Sequence, residues 1–233
     1  MALLLTIHLT CYDWRMCSHY TAIKVAALYE KKFGVKPPVD STRPDLWPGY
    51  VGSFIRTPHE IETCDREALP GVFGLLPHWA QDQKLARSTF NARSETAATK
   101  PSFRDAWRKA QHCIIPAAAI YEPDWRSGKA VATRIERADG EPMGIAGLWS
   151  WWKAPSGDNV FSFTMLTINA DDHELMRNLH KADDEKRMVV ILPESSYAEW
   201  LVAPADETMA FLKQYPADSL VASAEPSVGK VKT

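Results

Sequence analysis

Cys17 directly follows Met16, a second methionine at which translation can start. If the mature chain begins at Cys17, by initiation at Met16 and loss of that methionine or by removal of what precedes it, one residue carries both a thiol and a primary amine. No internal cysteine offers that pair. A thiol titrates near about 8.5 and a terminal amine near about 7.7 to 8, so each has a nucleophilic fraction close to neutral pH. A 1,2-aminothiol condenses with an aldehyde to an imine, and the sulfur then closes a five-membered thiazolidine that hydrolyses far less readily. The chemistry to expect is capture of an aldehyde; the alternative is that Cys17 is a small buried hydrophobe.

Other residues could serve that chemistry. Glu122 closes an apolar stretch containing Ile114, Ile115, Ile120 and Tyr121. Desolvation there favours the neutral carboxyl and suits it to proton transfer, unless it is a strand-end charge reaching water. His180 is either a second proton carrier or a surface or satisfied core histidine. In Phe90-Asn91-Ala92-Arg93-Ser94-Glu95-Thr96-Ala97, hydrophobic periodicity is missing while an amide, a guanidinium and a carboxylate lie close together. On an extended backbone Asn91 and Arg93, two apart, point to the same side. One could hold an amine or a sugar oxygen while the other clamps a phosphate. A turn with local side-chain capping reads equally well.

The elements that must position these residues follow from periodicity and turn chemistry. Residues 20–33 read as a helix with Ile23, Ala26, Ala27 and Phe33 near one face and Gly34 as its stop. A second helix is expected from a Ser102 cap with Phe103, Ala106, Trp107 and Ala110 on one stripe. Strand-like runs cover residues 51–56, 71–76, 113–122, 130–137, 144–152, 160–168 and 188–192, with hairpin turns at Asp139-Gly140 and Ser156-Gly157-Asp158-Asn159. Amphipathic stretches at 195–202 and 207–215 complete an α+β pattern. Its core would be a mainly antiparallel sheet or open β-barrel with flanking helices.

With 233 residues, 45% hydrophobic and 24% charged, the chain can bury a substantial core. One domain is expected over residues 16–224, with 225–233 a flexible tail. Residues 1–15 contain Leu3-Leu4-Leu5-Thr6-Ile7 but no preceding basic residues and no small-x-small cleavage pattern, which argues against a secretory signal and for an over-extended start. Four cysteines without C-x-x-C spacing indicate neither a zinc site nor a disulfide framework, and neither metal nor cofactor is expected. A reduced, cytoplasmic setting fits. A formal net charge of -2 argues against broad nucleic-acid affinity, so any DNA binding would be local.

The order Met16-Cys17, Asn91-Ala92-Arg93-Ser94-Glu95-Thr96, Cys113-Ile114-Ile115-Pro116-Ala117 running into Tyr121-Glu122, and His180 ahead of Arg187-Met188 resembles the SOS-response-associated peptidase family, also called abasic site processing proteins. The likeness spans roughly residues 16–220. It implies recognition of abasic sites in single-stranded DNA by a monomer that is nucleoid-associated when engaged. It also implies a covalent DNA-protein crosslink through Cys17, with lyase-like and autopeptidase reactions. By that resemblance Cys17 is the nucleophile, Asn91 positions it, Arg93 holds the phosphate beside the lesion, Glu122 and His180 move protons, and Trp79 stacks on a neighbouring base. The chain departs from the family where Ser18-His19 replaces Gly-Arg, where Trp47-Pro48-Gly49-Tyr50 replaces a Tyr-Asn-Val-Ala-Pro-like loop, and where Ala80 replaces the second Trp of a pair. Pro123-Asp124 and an acidic insertion after His180 (Asp183, Asp184, Glu185) are further departures.

Two rival readings use the same residues. Cys17, Asn91 and His180 have the residue types of a thiol peptidase acting in trans. Trp79, Arg93, Arg87 and Lys84 could instead form a non-enzymatic single-stranded DNA-binding module with strong salt dependence.

Overall fold

The computed structural model describes residues 18–38, 43–58 and 66–225. Cys17 and the stretch before it lie outside the described residues, as does the tail from residue 226. In chain order the elements are β1 (His19–Thr21), α1 (Ala26–Phe33), β2 (Asp45–Leu46), β3 (Val51–Arg56), β4 (Glu67–Phe73), β5 (Asn91–Arg93), α2 (Ser94–Ala97), α3 (Arg104–Arg108) and β6 (His112–Ala117). There follow β7 (Ala119–Asp124), β8 (Val131–Arg137), β9 (Met143–Lys153), β10 (Asn159–Asn169), β11 (Arg187–Val189), β12 (Ile191–Leu192), α4 (Tyr197–Val202), α5 (Thr208–Phe211) and β13 (Leu220–Ala224).

Five strands close on themselves. β3 pairs antiparallel with β4 and β6, β6 with β9, and β9 with β10, while β10 meets β4 in parallel at Ser162↔Val72 and Phe163↔Phe73. The expected α+β architecture with a barrel core is present, and the barrel is closed. Closure leaves no exposed edge along those strands and fills a small interior with side chains. The rings of Phe54, Phe73 and Phe163 pack there, with centroids 5.6 to 5.8 Å apart. Gly147 of β9 sits between Cys113 and Met165 in the ladder. A Cβ there would press on Ile115 Cδ1 and lie 2.5 Å from the backbone oxygen of Thr164, so only glycine lets the strands approach this closely.

A second sheet has the order β13-β8-β7-β1-β2. β1 overturns part of the expected first helix. His19, Tyr20 and Thr21 pair with Tyr121, Ile120 and Ala119 of β7, and Tyr20 is fully buried. The helix is confined to α1, where Tyr29 and Phe33 face the core and Gly34, at φ 71°, returns its N–H to Glu30. Local periodicity was compatible with helix, but burial of Tyr20 between two strands decides the outcome.

The run 113–122 is likewise two strands, because the chain changes sheets at Ala118, whose N–H bonds to Thr21 O at 2.7 Å. The Asp139-Gly140 turn joins β8 of one sheet to β9 of the other, and so is a crossover rather than a hairpin. Residues 156–159 do turn the β9–β10 hairpin. α3 starts two residues beyond the expected Ser102 cap and receives no side-chain cap bond; the Lys100 carbonyl already takes the Phe103 and Arg104 N–H groups. Among the described residues no helix is long and apolar enough to cross a membrane.

Candidate functional site

Glu122 lies inside β7, opposite Thr133 of β8, and is 1% exposed. The reading of a strand-end charge reaching water is therefore overturned. His180 arrives from the segment between β10 and β11. Its N–H bonds to Pro123 O at 2.8 Å, and the residue forms a parallel bridge with Asp124. The backbone there is left-handed, φ 66°, a conformation costly for a side-chain-bearing residue and held by those contacts. The imidazole, in a residue 6% exposed, places Nε2 3.5 Å from Glu122 Oε2 and 3.3 Å from the Arg187 carbonyl. A carbonyl can only accept, so Nε2 carries the proton and Nδ1 keeps the lone pair. Burial holds the imidazole below its ordinary value of 6.5; the Arg187 carbonyl opposes this, the Lys186 ammonium adds to it, and Asp184 opposes it.

Asn91 and Arg93 stand on β5, which pairs in parallel with the far half of β10 at Met165 and Thr167. Their backbone is extended, where the residues alone left a turn equally open, with Asn91 buried and the Arg93 side chain 48% exposed at the rim. On the other edge of β10, β11 pairs Arg187 with Asn169. The guanidinium of Arg187, a residue 2% exposed, reaches across to Glu95 of α2 at 2.9 Å, to Glu185 at 2.6 Å and to the Thr167 carbonyl at 2.8 Å. Partial burial works against charge on Glu95, but the Arg187 bonds outweigh it and hold that carboxyl below its usual range. Arg187 thus ties α2, which follows directly on the Asn91–Arg93 strand, to the strand whose carbonyl supports His180.

The described chain begins at Ser18, next to His19 opposite Tyr121 and therefore beside Glu122 in the register of β1 and β7. Cys17, the expected nucleophile, lies outside the described residues. His19 is sandwiched between Trp47 at 4.2 Å and Tyr121 at 4.1 Å and contacts Asp45 at 3.2 Å. This stack was not foreseen, because neither Trp47 nor Tyr121 has a spacing that links it to residue 19. Trp79 stands on a separate feature. It is 45% exposed and lines a cleft of about 400 Å³ with Gln81, Asp82, Lys84 and Leu85. Ala80 is buried behind it, its carbonyl accepting from Trp152 Nε1 at 2.6 Å.

The chain is similar to the abasic site processing protein YoqW of Bacillus subtilis, 34% identical over 154 residues, covering 64% of this chain and 65% of that protein. It is 25% identical over 194 residues to the mouse abasic site processing protein HMCES, of which it spans 52%. A solved Bordetella bronchiseptica protein superposes with a TM-score of 0.82 at 53% identity, covering 90% of this chain and all of that one. A Bacteroides thetaiotaomicron structure, at 21% identity and a TM-score of 0.72, shares the fold. Residues 16–231 match the family described as SOS response associated peptidase (SRAP), and the chain belongs to that family.

Proposed function

We propose that this protein binds abasic sites in single-stranded DNA and joins them to Cys17 as a thiazolidine. The observation that carries the reading is the buried Glu122–His180 contact, 3.5 Å, on the strand that pairs with β1 immediately after Ser18. An abasic deoxyribose is mostly a closed hemiacetal, so proton carriers are needed before an aldehyde exists. A base takes the C1′ hydroxyl proton, the C1′–O4′ bond breaks, and O4′ receives a proton from an acid. The Cys17 amine then adds to C1′, water leaves to give the imine, and the sulfur adds to the same carbon while nitrogen takes up a proton. The balance is aldehyde plus aminothiol to thiazolidine plus water.

The Nδ1 lone pair of His180 and the carboxyl of Glu122 serve as the two proton carriers. Asn91 positions the nucleophile, Arg93 takes the phosphate next to the lesion, and Trp79 stacks on a flanking base. The names of the curated relatives support abasic-site processing, and the family name supports self-cleavage ahead of Cys17 as one route to the free amine.

The test is an oligonucleotide with one abasic site, incubated with protein whose mature N-terminus at Cys17 is verified by intact mass. The expected result is an adduct that survives denaturing gels and vanishes with Cys17→Ala. An adduct that persists in Cys17→Ala, or one formed by chains in which Cys17 is still preceded by other residues, would overturn the reading.

A further inference from the structure

Arg93 already has an anion. Its Nη1 lies 2.7 Å from Glu185 Oε2, and Glu185 belongs to the acidic stretch Asp183-Asp184-Glu185 between His180 and β11. The other carboxylate oxygen accepts from Arg187 Nη1 at 2.6 Å. The two arginines differ in what else holds them. Arg187 is buried and keeps Glu95 and the Thr167 carbonyl, whereas the Arg93 side chain is half in solvent and Glu185 is 37% exposed.

The backbone behind Glu185 is fastened. Lys186 Nζ donates to the carbonyls of Lys181, Ala182 and Asp184, and the Lys186 N–H bonds to Asp171 Oδ1 at 2.9 Å. A lysine ammonium thus gathers the carbonyls of the insertion and leaves its carboxylates at the rim. Partial burial disfavours charge on Glu185, but Arg187, Asn169 and Arg93 together outweigh it and hold the carboxyl below its usual range.

We propose that Glu185 is a placeholder for the DNA phosphate: it occupies Arg93 in the free protein and opposes any backbone phosphate that comes to the same guanidinium. The proposal rests on the reading that Arg93 is a phosphate contact. Carboxylate and phosphate offer guanidinium the same paired acceptor geometry, and two anions on one exposed cation repel. Intact single strands are therefore held weakly, while a lesion that becomes covalently attached is retained whatever the strength of the phosphate contact. The acidic insertion acts as a threshold on non-covalent binding.

The experiment uses the full chain carrying Cys17→Ala, so that only non-covalent binding is read, with a fluorescently labelled oligodeoxythymidine and a salt titration. Glu185→Gln is expected to tighten binding about fivefold, the size of one exposed ion pair. It should also steepen the plot of log affinity against log salt by about 0.7, one more phosphate neutralised on a single strand. Glu185→Asp, which keeps the charge, should stay near the parent. In an Arg93→Ala background Glu185→Gln should gain nothing. Unchanged or weaker binding by Glu185→Gln would overturn the proposal and make Glu185 a support for Arg93. If Arg93→Ala alone leaves affinity and salt slope unaltered, the phosphate role of Arg93 fails first, a separate result. Thermal unfolding of Glu185→Gln guards against misfolding, since its amide oxygen can still accept from Arg187.

Discussion

Glu122 Oε2 and His180 Nε2 lie 3.5 Å apart although they come from distant parts of the chain, Glu122 from the middle of β7 and His180 from the connection leaving the barrel strand β10. Proton transfer by positioned groups is worth about 10² to 10⁴ in rate. Glu122→Gln, which keeps the shape, should slow single-turnover crosslinking by about 10²-fold while leaving non-covalent affinity for single-stranded DNA unchanged. Equal losses in binding and in crosslinking rate would contradict a proton-transfer role.

His180 gives a pH dependence whose sign is fixed. Burial depresses its folded-state value below the ordinary 6.5, so between those two values the unfolded chain binds the extra proton. The contribution is present above 6.5 and is lost as pH falls through the folded value. Urea unfolding followed from neutral to mildly acidic pH should show stability falling below 6.5, with a shallower slope in His180→Gln. His19, depressed mainly by burial and in the same direction, adds to the wild-type slope and remains in that variant.

Arg187→Met should be costly to the fold. It removes the charged donor that satisfies the Thr167 carbonyl and links α2 to β11. Leaving a buried acceptor without its donor costs about 2 kcal/mol, read as a drop in urea midpoint. Glu95→Gln, whose carboxylate is half in water, should cost less than about 1 kcal/mol. Similar losses from both would place the stability of this network elsewhere.

Much of the barrel is legible in the sequence. The long apolar runs on either side of Ser156-Gly157-Asp158-Asn159 announce the β9–β10 hairpin, and residues 51–56 read as the strand they are. What is not legible depends on distant partners. Tyr20 fits a helical stripe by spacing, and only its place between β2 and β7 makes it a strand residue. Nothing local marks Ala118 as the point where the chain changes sheets. At the site, Asn91 and Arg93 share a face only on an extended backbone, which the residues around them leave open and pairing with β10 decides, while Glu122 and His180 come together by family likeness. The ion pairs Arg187–Glu95 and Arg93–Glu185 join residues too far apart for any periodicity to reveal them.

Gly147→Ala should disrupt barrel closure more than a typical surface change, because the added methyl meets a backbone oxygen that cannot rotate away. A destabilisation of about 3 kcal/mol is expected, at the upper end of overpacking costs. Gly140→Ala meets open space and, with φ 73°, should cost only the strain of a left-handed backbone, about 1 kcal/mol. Chemical denaturation of both variants checks the ranking.

Trp79→Ala should leave the unfolding midpoint nearly unchanged, since Trp79 is close to half in solvent and lies outside the packed core, while weakening single-stranded DNA binding by about 1 to 3 kcal/mol. A stable variant with undiminished binding would remove Trp79 from the DNA path.

Arg187 acts as a rivet. Its main-chain oxygen braces the imidazole beside β7 while its guanidinium grips the barrel edge near Asn91 and Arg93. Any slippage between the two sheets would therefore shift both halves of the site in step, so the spacing between proton carriers and strand-holding groups is kept by one residue, through its main chain and its side chain together, rather than by the stiffness of either sheet.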